Sequence, residues 1–215
     1  MSELSKRSAK YFFIQGLKWS GYVVLLQLVL CLEWYVLGVD EEVGALQYSL
    51  GMMLSLGGFF TALLNGIFAI YGPNWYDSLA LSMGARRKDV FWGELIKQLT
   101  FVVVSTVFYV VLIFITNQFR FLNYTLLAAV FAIVVGPIGL VIGHKIKKYG
   151  KIFIVIIATF SGLFGMYVGM SSVTGSSALF ALPEISILLV VLVAALLFVL
   201  FELWVYKLNS KCMVI

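Results

Sequence analysis

Residues 99–117 read LTFVVVSTVFYVVLIFITN, a stretch without one charged side chain. Its length matches the roughly 20 apolar residues that an α-helix needs to cross the hydrocarbon core of a bilayer. It lacks the sustained alternation of polar and apolar residues that is typical of a transmembrane β-strand. The stretch therefore predicts a transmembrane helix.

Stretches of the same character occur on both sides of it. Of the whole chain, 62% is hydrophobic and only 12% is charged, whereas soluble domains are about 45–50% apolar and about 25% charged. The composition argues against a soluble enzyme and predicts an all-α integral membrane protein, a single transmembrane domain over residues 1–215. Six spans are predicted, at about 19–39, 45–71, 99–117, 121–143, 152–172 and 185–206.

The basic residues are distributed unevenly along the chain. Fourteen of the 15 Lys and Arg residues fall in the N-terminal flank, the second and fourth connections and the C-terminal tail, and Arg120 is the exception. The positive-inside rule places these segments, and hence both termini, in the cytoplasm. The pattern predicts a multi-pass plasma-membrane protein, and it explains the net charge of +5 without a nucleic-acid partner.

The N-terminal flank has an amphipathic pattern. Lys6, Arg7 and Lys10 alternate with apolar residues such as Tyr11 and Phe12. This pattern is typical of a helix that lies among the lipid headgroups of the cytoplasmic leaflet. An ordinary basic flank that only orients the first span is the alternative.

The second connection, residues 72–98, reads GPNWYDSLALSMGARRKDVFWGELIKQ. Gly72 and Pro73 predict the end of the second span, because proline disfavours the helical conformation of the residue before it. Asn74 is a good N-cap and predicts the start of a short helix. Gly84 is the residue type that ends helices in the left-handed conformation.

In this short helix, Trp75, Leu79 and Met83 recur every four residues and predict one apolar face. Basic residues follow, and Asp89 falls in the first turn of a second helix that leads into the third span. The connection therefore predicts a helix–glycine–helix elbow on the cytoplasmic face. Such an elbow can dock a soluble partner, or it can be an interfacial loop that contacts lipid headgroups.

The stretch DSLALSMGARRKDVFWGELI, residues 77–96, resembles the cytoplasmic segment of small ATP-binding-cassette (ABC) transporter permeases of the type V, ABCG-like exporter class. Members carry a hydrophobic helix, a small residue, Ser/Thr/Ala-Arg-(Arg/Lys)-(Asp/Glu), apolar residues and a glycine. The nearest resemblance is to Gram-positive permeases of lantibiotic-type export and immunity systems. This chain departs from the family at Met83-Gly84-Ala85, where members often have a proline or a polar residue.

The resemblance implies that this elbow is a coupling helix, which in the family docks on a separate ATP-binding subunit. It also implies a second permease, identical or homologous, and a bacterial exporter of an amphipathic substrate such as an antimicrobial peptide or a lipid-like molecule. The contact residues implied for the ATP-binding subunit are Leu79, Ser82, Met83, Gly84, Arg86, Arg87, Asp89 and Phe91.

An energy source is missing from the chain itself. The sequence contains no GxxxxGK(S/T) phosphate-binding loop. If the protein pumps, ATP is therefore bound by a partner chain, and this chain is expected to carry no cofactor.

Polar side chains inside the spans are the candidates for a substrate path: Glu33, Gln27 and Asn65. Glu33 can pair with a cationic substrate or with Arg120, or reach the interface. The two amides can line a path or form hydrogen bonds between helices. Glu202 is interpreted as an interfacial pair with Lys207.

Small residues predict where the helices pack closely. Gly139 and Gly143 form one GxxxG pattern and Gly165 and Gly169 form another. Pro137 predicts a kink in the fourth span.

Little in the sequence indicates catalysis. His144 is the single histidine, and no spacing of Ser, His, Cys or acidic residues matches a catalytic or metal-binding set. Two other classes stay open: a six-span binding or structural membrane protein without its own motor, and an intramembrane enzyme, for which the sequence offers least.

Overall fold

The computed structural model describes residues 3–38, 44–150 and 184–211. This part of the chain is helical throughout and contains no strand. Five of its helical stretches are long and apolar enough to cross a membrane. The elements are α1 (Glu3–Leu37), α2 (Ala45–Tyr71), a π-helical turn (Gly72–Tyr76), α3 (Asp77–Ser82), α4 (Arg87–Thr116), a 3₁₀ turn (Phe119–Phe121), α5 (Leu122–Tyr149) and α6 (Glu184–Lys211).

The all-α character of the fold is confirmed over the described residues, and the presence of several helices long and apolar enough to cross a membrane agrees with the prediction. The five long helices overlap five of the predicted spans, at about 19–39, 45–71, 99–117, 121–143 and 185–206. The predicted span at 152–172 lies outside the described residues.

The predicted N-terminal interfacial helix does not exist as a separate element, because α1 runs unbroken from Glu3 to Leu37. Phe12 is completely buried and packs against Gly93 of α4. At Gly16, an added Cβ would lie 2.7 Å from the backbone oxygen of Lys97. The amphipathic segment therefore forms the first turns of the long helix α1, packed closely on α4.

The predicted break at Gly72-Pro73 is also wrong. The chain continues through the π-helical turn into α3, so that Ala45–Ser82 is one helical stretch. Asn74 is not an N-cap, since its Nδ2 donates a hydrogen bond to the Ile70 oxygen at 3.2 Å. A π-type turn is one of the ways in which a helix accommodates a proline, which has no amide hydrogen.

Side-chain contacts give the directions of the helices. Ser8 and Ser20 of α1 donate hydrogen bonds to the backbone oxygens of Asp89 and Phe101. Both pairs have the same sequence separation, so α1 and α4 run parallel.

The last helix, α6, runs antiparallel to α4. Arg87 Nη1 donates to the Ser210 oxygen at 2.9 Å, and the rings of Phe91 and Tyr206 lie 5.3 Å apart. The start of α4 therefore meets the end of α6, and the basic residues of α1, the elbow and α6 collect at one end of the bundle. We call this the basic end.

Helices α2 and α5 run parallel and pack closely through glycines. A Cβ added at Gly139 would lie 2.4 Å from the Gly66 oxygen, and one added at Gly143 would lie 2.5 Å from the Ile70 oxygen. The close approach predicted from Gly139 and Gly143 is confirmed. The second GxxxG pattern lies outside the described residues, and α5 runs through Pro137 as one helix.

We predict that Gly139→Ala destabilises the protein by about 1–3 kcal/mol, because the new methyl group collides with backbone that cannot move aside. Gly21→Ala is the matched control: it is also helical, and its Cβ would meet nothing within 4 Å. It should leave stability unchanged or raise it by up to about 1 kcal/mol. Thermal unfolding in detergent measures both, and equal unfolding temperatures would contradict the close packing.

Candidate functional site

The predicted helix–glycine–helix elbow is present at the basic end. Gly84 has φ +86°, the left-handed conformation that glycine adopts without a steric penalty. Its amide donates to the Leu81 oxygen at 3.0 Å, and the Ala85 amide donates to the Ala80 oxygen at 3.0 Å. These two bonds complete the end of α3, and the chain then reverses into α4.

A polar contact fixes the beginning of α4. The Arg86 amide and its Nε both donate to Oδ2 of Asp89, at 3.3 and 3.1 Å. The Asp89 carboxylate therefore sits in the first turn of α4, where the helix dipole favours negative charge. The predicted position of Asp89 is confirmed.

The outer face of the elbow is apolar and exposed. Trp75, Leu79 and Met83 are 71%, 48% and 57% exposed. They form the predicted face with a period of four residues, and it points away from the bundle. Six of the eight residues that the resemblance implied as docking contacts are exposed in this way: Leu79, Ser82, Met83, Gly84, Arg86 and Arg87.

The other two, Asp89 and Phe91, are buried. Asp89 caps α4, and Phe91 packs in a cluster with Leu140 of α5 and Val205 of α6. They support the elbow from inside and are not presented on its outer surface. The apolar side chain of Phe91 lies on the inner face of α4, which the sequence pattern of the elbow alone did not distinguish.

The most unusual feature of the basic end is a buried ion pair between Glu94 and Lys97, which the sequence pattern does not predict. Lys97 Nζ donates to Glu94 Oε1 at 2.7 Å, and the two side chains are only 3% and 2% exposed. The charge distribution predicts that Lys97 is one of the basic residues on the cytoplasmic side. In the structure its side chain lies inside the bundle. An opposite-charge spacing of i, i+3 was the available signal, and exposed helices show the same spacing.

The ion pair contacts several elements at once. Lys97 Nζ lies 4.8 Å from the ring centre of Tyr76 and 5.9 Å from that of Phe12. A Cβ added at Gly72 would lie 3.0 Å from both the Glu94 carboxylate and Leu140. The pair therefore joins α1 and the π-helical turn to α4, at the place where Gly72 also lies against Leu140 of α5.

A second buried carboxylate lies in α6. Glu202 is 7% exposed, and within the described part of the chain neither of its oxygens accepts a hydrogen bond. Its predicted pairing with Lys207 is wrong, because Lys207 is exposed and points elsewhere, five positions further along the helix.

The three candidate substrate-path residues differ in their exposure. Gln27 and Asn65 are buried, whereas Glu33 is exposed. Asn65 Nδ2 donates to the Ala132 oxygen of α5 at 2.7 Å, which supports the helix–helix alternative for this amide. Over the ranges that the structure describes, Glu33 forms no ion pair with Arg120, whose guanidinium lies 4.7 Å from the Phe121 ring centre.

Among the residues described, no three His, Cys, Asp or Glu side chains lie close enough to hold a metal ion. Comparisons with protein families, with curated proteins and with solved structures find no match to this chain. The elbow and the buried charges beneath it are therefore the features of this chain from which a function can be inferred.

We predict that Glu94→Gln and Lys97→Met each lower the free energy of unfolding by about 3–5 kcal/mol, because each leaves one charge buried without its partner. The double variant should recover much of that loss, since both charges are gone. Thermal unfolding of the four proteins in detergent gives the coupling free energy. Additive effects of the two substitutions would show that the side chains do not interact.

Proposed function

We propose that this chain is the membrane-spanning permease subunit of an ATP-driven ABC exporter in a bacterial plasma membrane, with both termini in the cytoplasm. A separate ATP-binding subunit would dock on the elbow, and a second permease would complete the pathway for an amphipathic substrate. The observation that carries the proposal is the elbow itself, which is exposed and apolar outside and anchored by buried charge inside.

The surface chemistry of the elbow suits a protein partner. Leu79 and Met83 offer apolar side chains, and Arg86 and Arg87 offer guanidinium groups beside them, all exposed. Apolar anchors next to arginine are the residue combination that is enriched in protein interfaces. A partner surface with an apolar groove and a carboxylate rim would complement it.

The length of the helical stretch supports the placement of the elbow outside the bilayer. Ala45–Ser82 has 38 residues, which corresponds to about 57 Å of helix. The hydrocarbon core of a bilayer is about 30 Å thick. The stretch is therefore long enough for α3 to project into water at the basic end, which the positive-inside rule assigns to the cytoplasm.

The connections of the elbow favour transmission of movement. On one side α3 continues into α2 through the π-helical turn, and on the other side α4 begins at the Arg86–Asp89 contact. The π-helical turn contacts the Glu94–Lys97 pair through Gly72 and Tyr76, and the pair itself belongs to α4. A displacement of α3 would therefore move α2 and α4 together.

The positions of the described segments are compatible with six spans. The described segment 44–150 ends at Gly150, and α6 begins at Glu184 at the opposite end of the bundle from the elbow. In the proposed permease, the predicted span at 152–172 connects these two ends.

The same exposed face can also contact lipid headgroups. Trp75 is the side chain most typical of a membrane interface, and a six-span binding or structural protein would use the elbow in this way. The experiment that follows distinguishes the two functions.

We predict that Arg86→Glu combined with Arg87→Glu reduces stimulation of the partner's ATPase activity by at least about tenfold, because the guanidinium groups would face carboxylates across the interface. Lys6→Glu combined with Lys10→Glu is the matched control, since these exposed residues lie at the same end and change the charge equally. The measurement is ATP hydrolysis by the reconstituted complex.

Because Arg86 also contacts Asp89, a second variant, Leu79→Ser combined with Met83→Ser, removes only exposed apolar groups and should give the same loss. Normal stimulation in both elbow variants would overturn the docking role of the elbow.

A further inference from the structure

Glu202 is a carboxylate in apolar surroundings. It lies in α6 one turn before Val205 and Tyr206, which pack on Phe91 of α4. Because α6 is antiparallel to α4, Glu202 lies at the level of Glu94. Neither of its oxygens has a hydrogen-bond donor among the described residues.

The neighbouring charges do not neutralise it. On α4, Lys97 is already bound to Glu94. On α5, Lys145 lies over the rings of Tyr149 and Trp204, at 5.6 and 5.9 Å. His144 of α5 is buried and not free, and it donates no hydrogen bond to Glu202. On α6, Lys207 is exposed. Among the described residues, the buried Lys97 ammonium therefore pairs with Glu94, and no hydrogen-bond donor reaches either oxygen of Glu202.

A second unpartnered polar group lies close by. Gln98 is buried one turn beyond Glu94 on the same side of α4, and neither atom of its amide is hydrogen-bonded within the described ranges. Both carboxylate oxygens of Glu94, in contrast, lie within ion-pair distance of Lys97 Nζ. Unsatisfied buried groups of this kind are costly and mark places where a small ligand or water completes the hydrogen bonding.

An ionised carboxylate buried without a donor or a cation costs several kcal/mol, whereas its neutral form costs much less. A proton supplies the single positive charge that neutralises such a carboxylate, and it needs no cavity. We propose that Glu202 is a proton-binding site, with its carboxyl protonated in the closed arrangement described here and deprotonated when α6 separates from α4 and water enters.

This inference does not depend on the ATP-binding partner. It concerns the contact between α4 and α6, and it holds equally for an exporter and for a binding protein. When this end of the bundle opens, Glu202 would release one proton. When the bundle closes again, Glu202 would take one up.

The test compares the pH dependence of thermal unfolding in detergent for the wild type, Glu202→Gln and Glu33→Gln. Glu202 binds its proton in the folded protein and loses it on unfolding near neutral pH, so the unfolding temperature of the wild type should fall as pH rises from about 5 to about 8. Glutamine imitates the protonated carboxyl, so Glu202→Gln should lose this component of the slope and exceed the wild type at the upper pH. Glu33 is exposed, and its variant should follow the wild type.

Infrared spectroscopy in D₂O detects a protonated carboxyl directly in the folded wild type. The carbonyl band of a protonated carboxylic acid should be present near neutral pH and disappear on unfolding, and it should be missing from Glu202→Gln. Absence of the band from the folded wild type would overturn the proposal.

Two further results would also overturn it. One is an unchanged pH slope in Glu202→Gln. The other is stabilisation by Na⁺ or K⁺ at constant pH that disappears in this variant, which would identify the ligand as a metal cation.

Discussion

The buried ion pair between Glu94 and Lys97 is the interaction on which the basic end of this protein depends. Both charges lie inside the bundle, against Phe12 of α1, Tyr76 of the π-helical turn and Leu140 of α5. Separating them would leave an unpaired charge in apolar surroundings, which costs far more than a surface pair is worth. The pair therefore fixes where α4 begins relative to three other elements, and so it fixes the elbow.

The elbow combines a fixed base with an exposed tip. Below it, the glycine contact between α2 and α5 keeps these helices together, so that the base has little freedom to shift. Above it, the side chains of Leu79 and Met83 are about half exposed on the outer face of the elbow. This division of burial and exposure within one short segment is what the proposed docking role requires, and Glu202 extends the same buried charge network toward α6.

The sequence predicted the features that depend on composition and on local backbone chemistry. Uncharged apolar stretches predicted the spanning helices, and Gly84 and Asp89 were placed correctly because a left-handed turn and a helix start each have a local signature. The prediction that the helix ends at Pro73 was wrong because a π-helical turn accommodates the proline within a continuous helical stretch. The burial of Lys97 and Phe91 was not predictable, since it depends on α1, α5 and α6 packing around α4, and no local pattern reports which helix faces another.

The proposed dependence of this chain on a separate motor is best tested by affinity purification of the tagged chain from native membranes solubilised in mild detergents. We expect an ATP-binding-cassette subunit to be recovered with it at near-equal stoichiometry. Recovery of the folded chain alone in every detergent would contradict the proposed permease function, and the elbow would then be a surface for lipid.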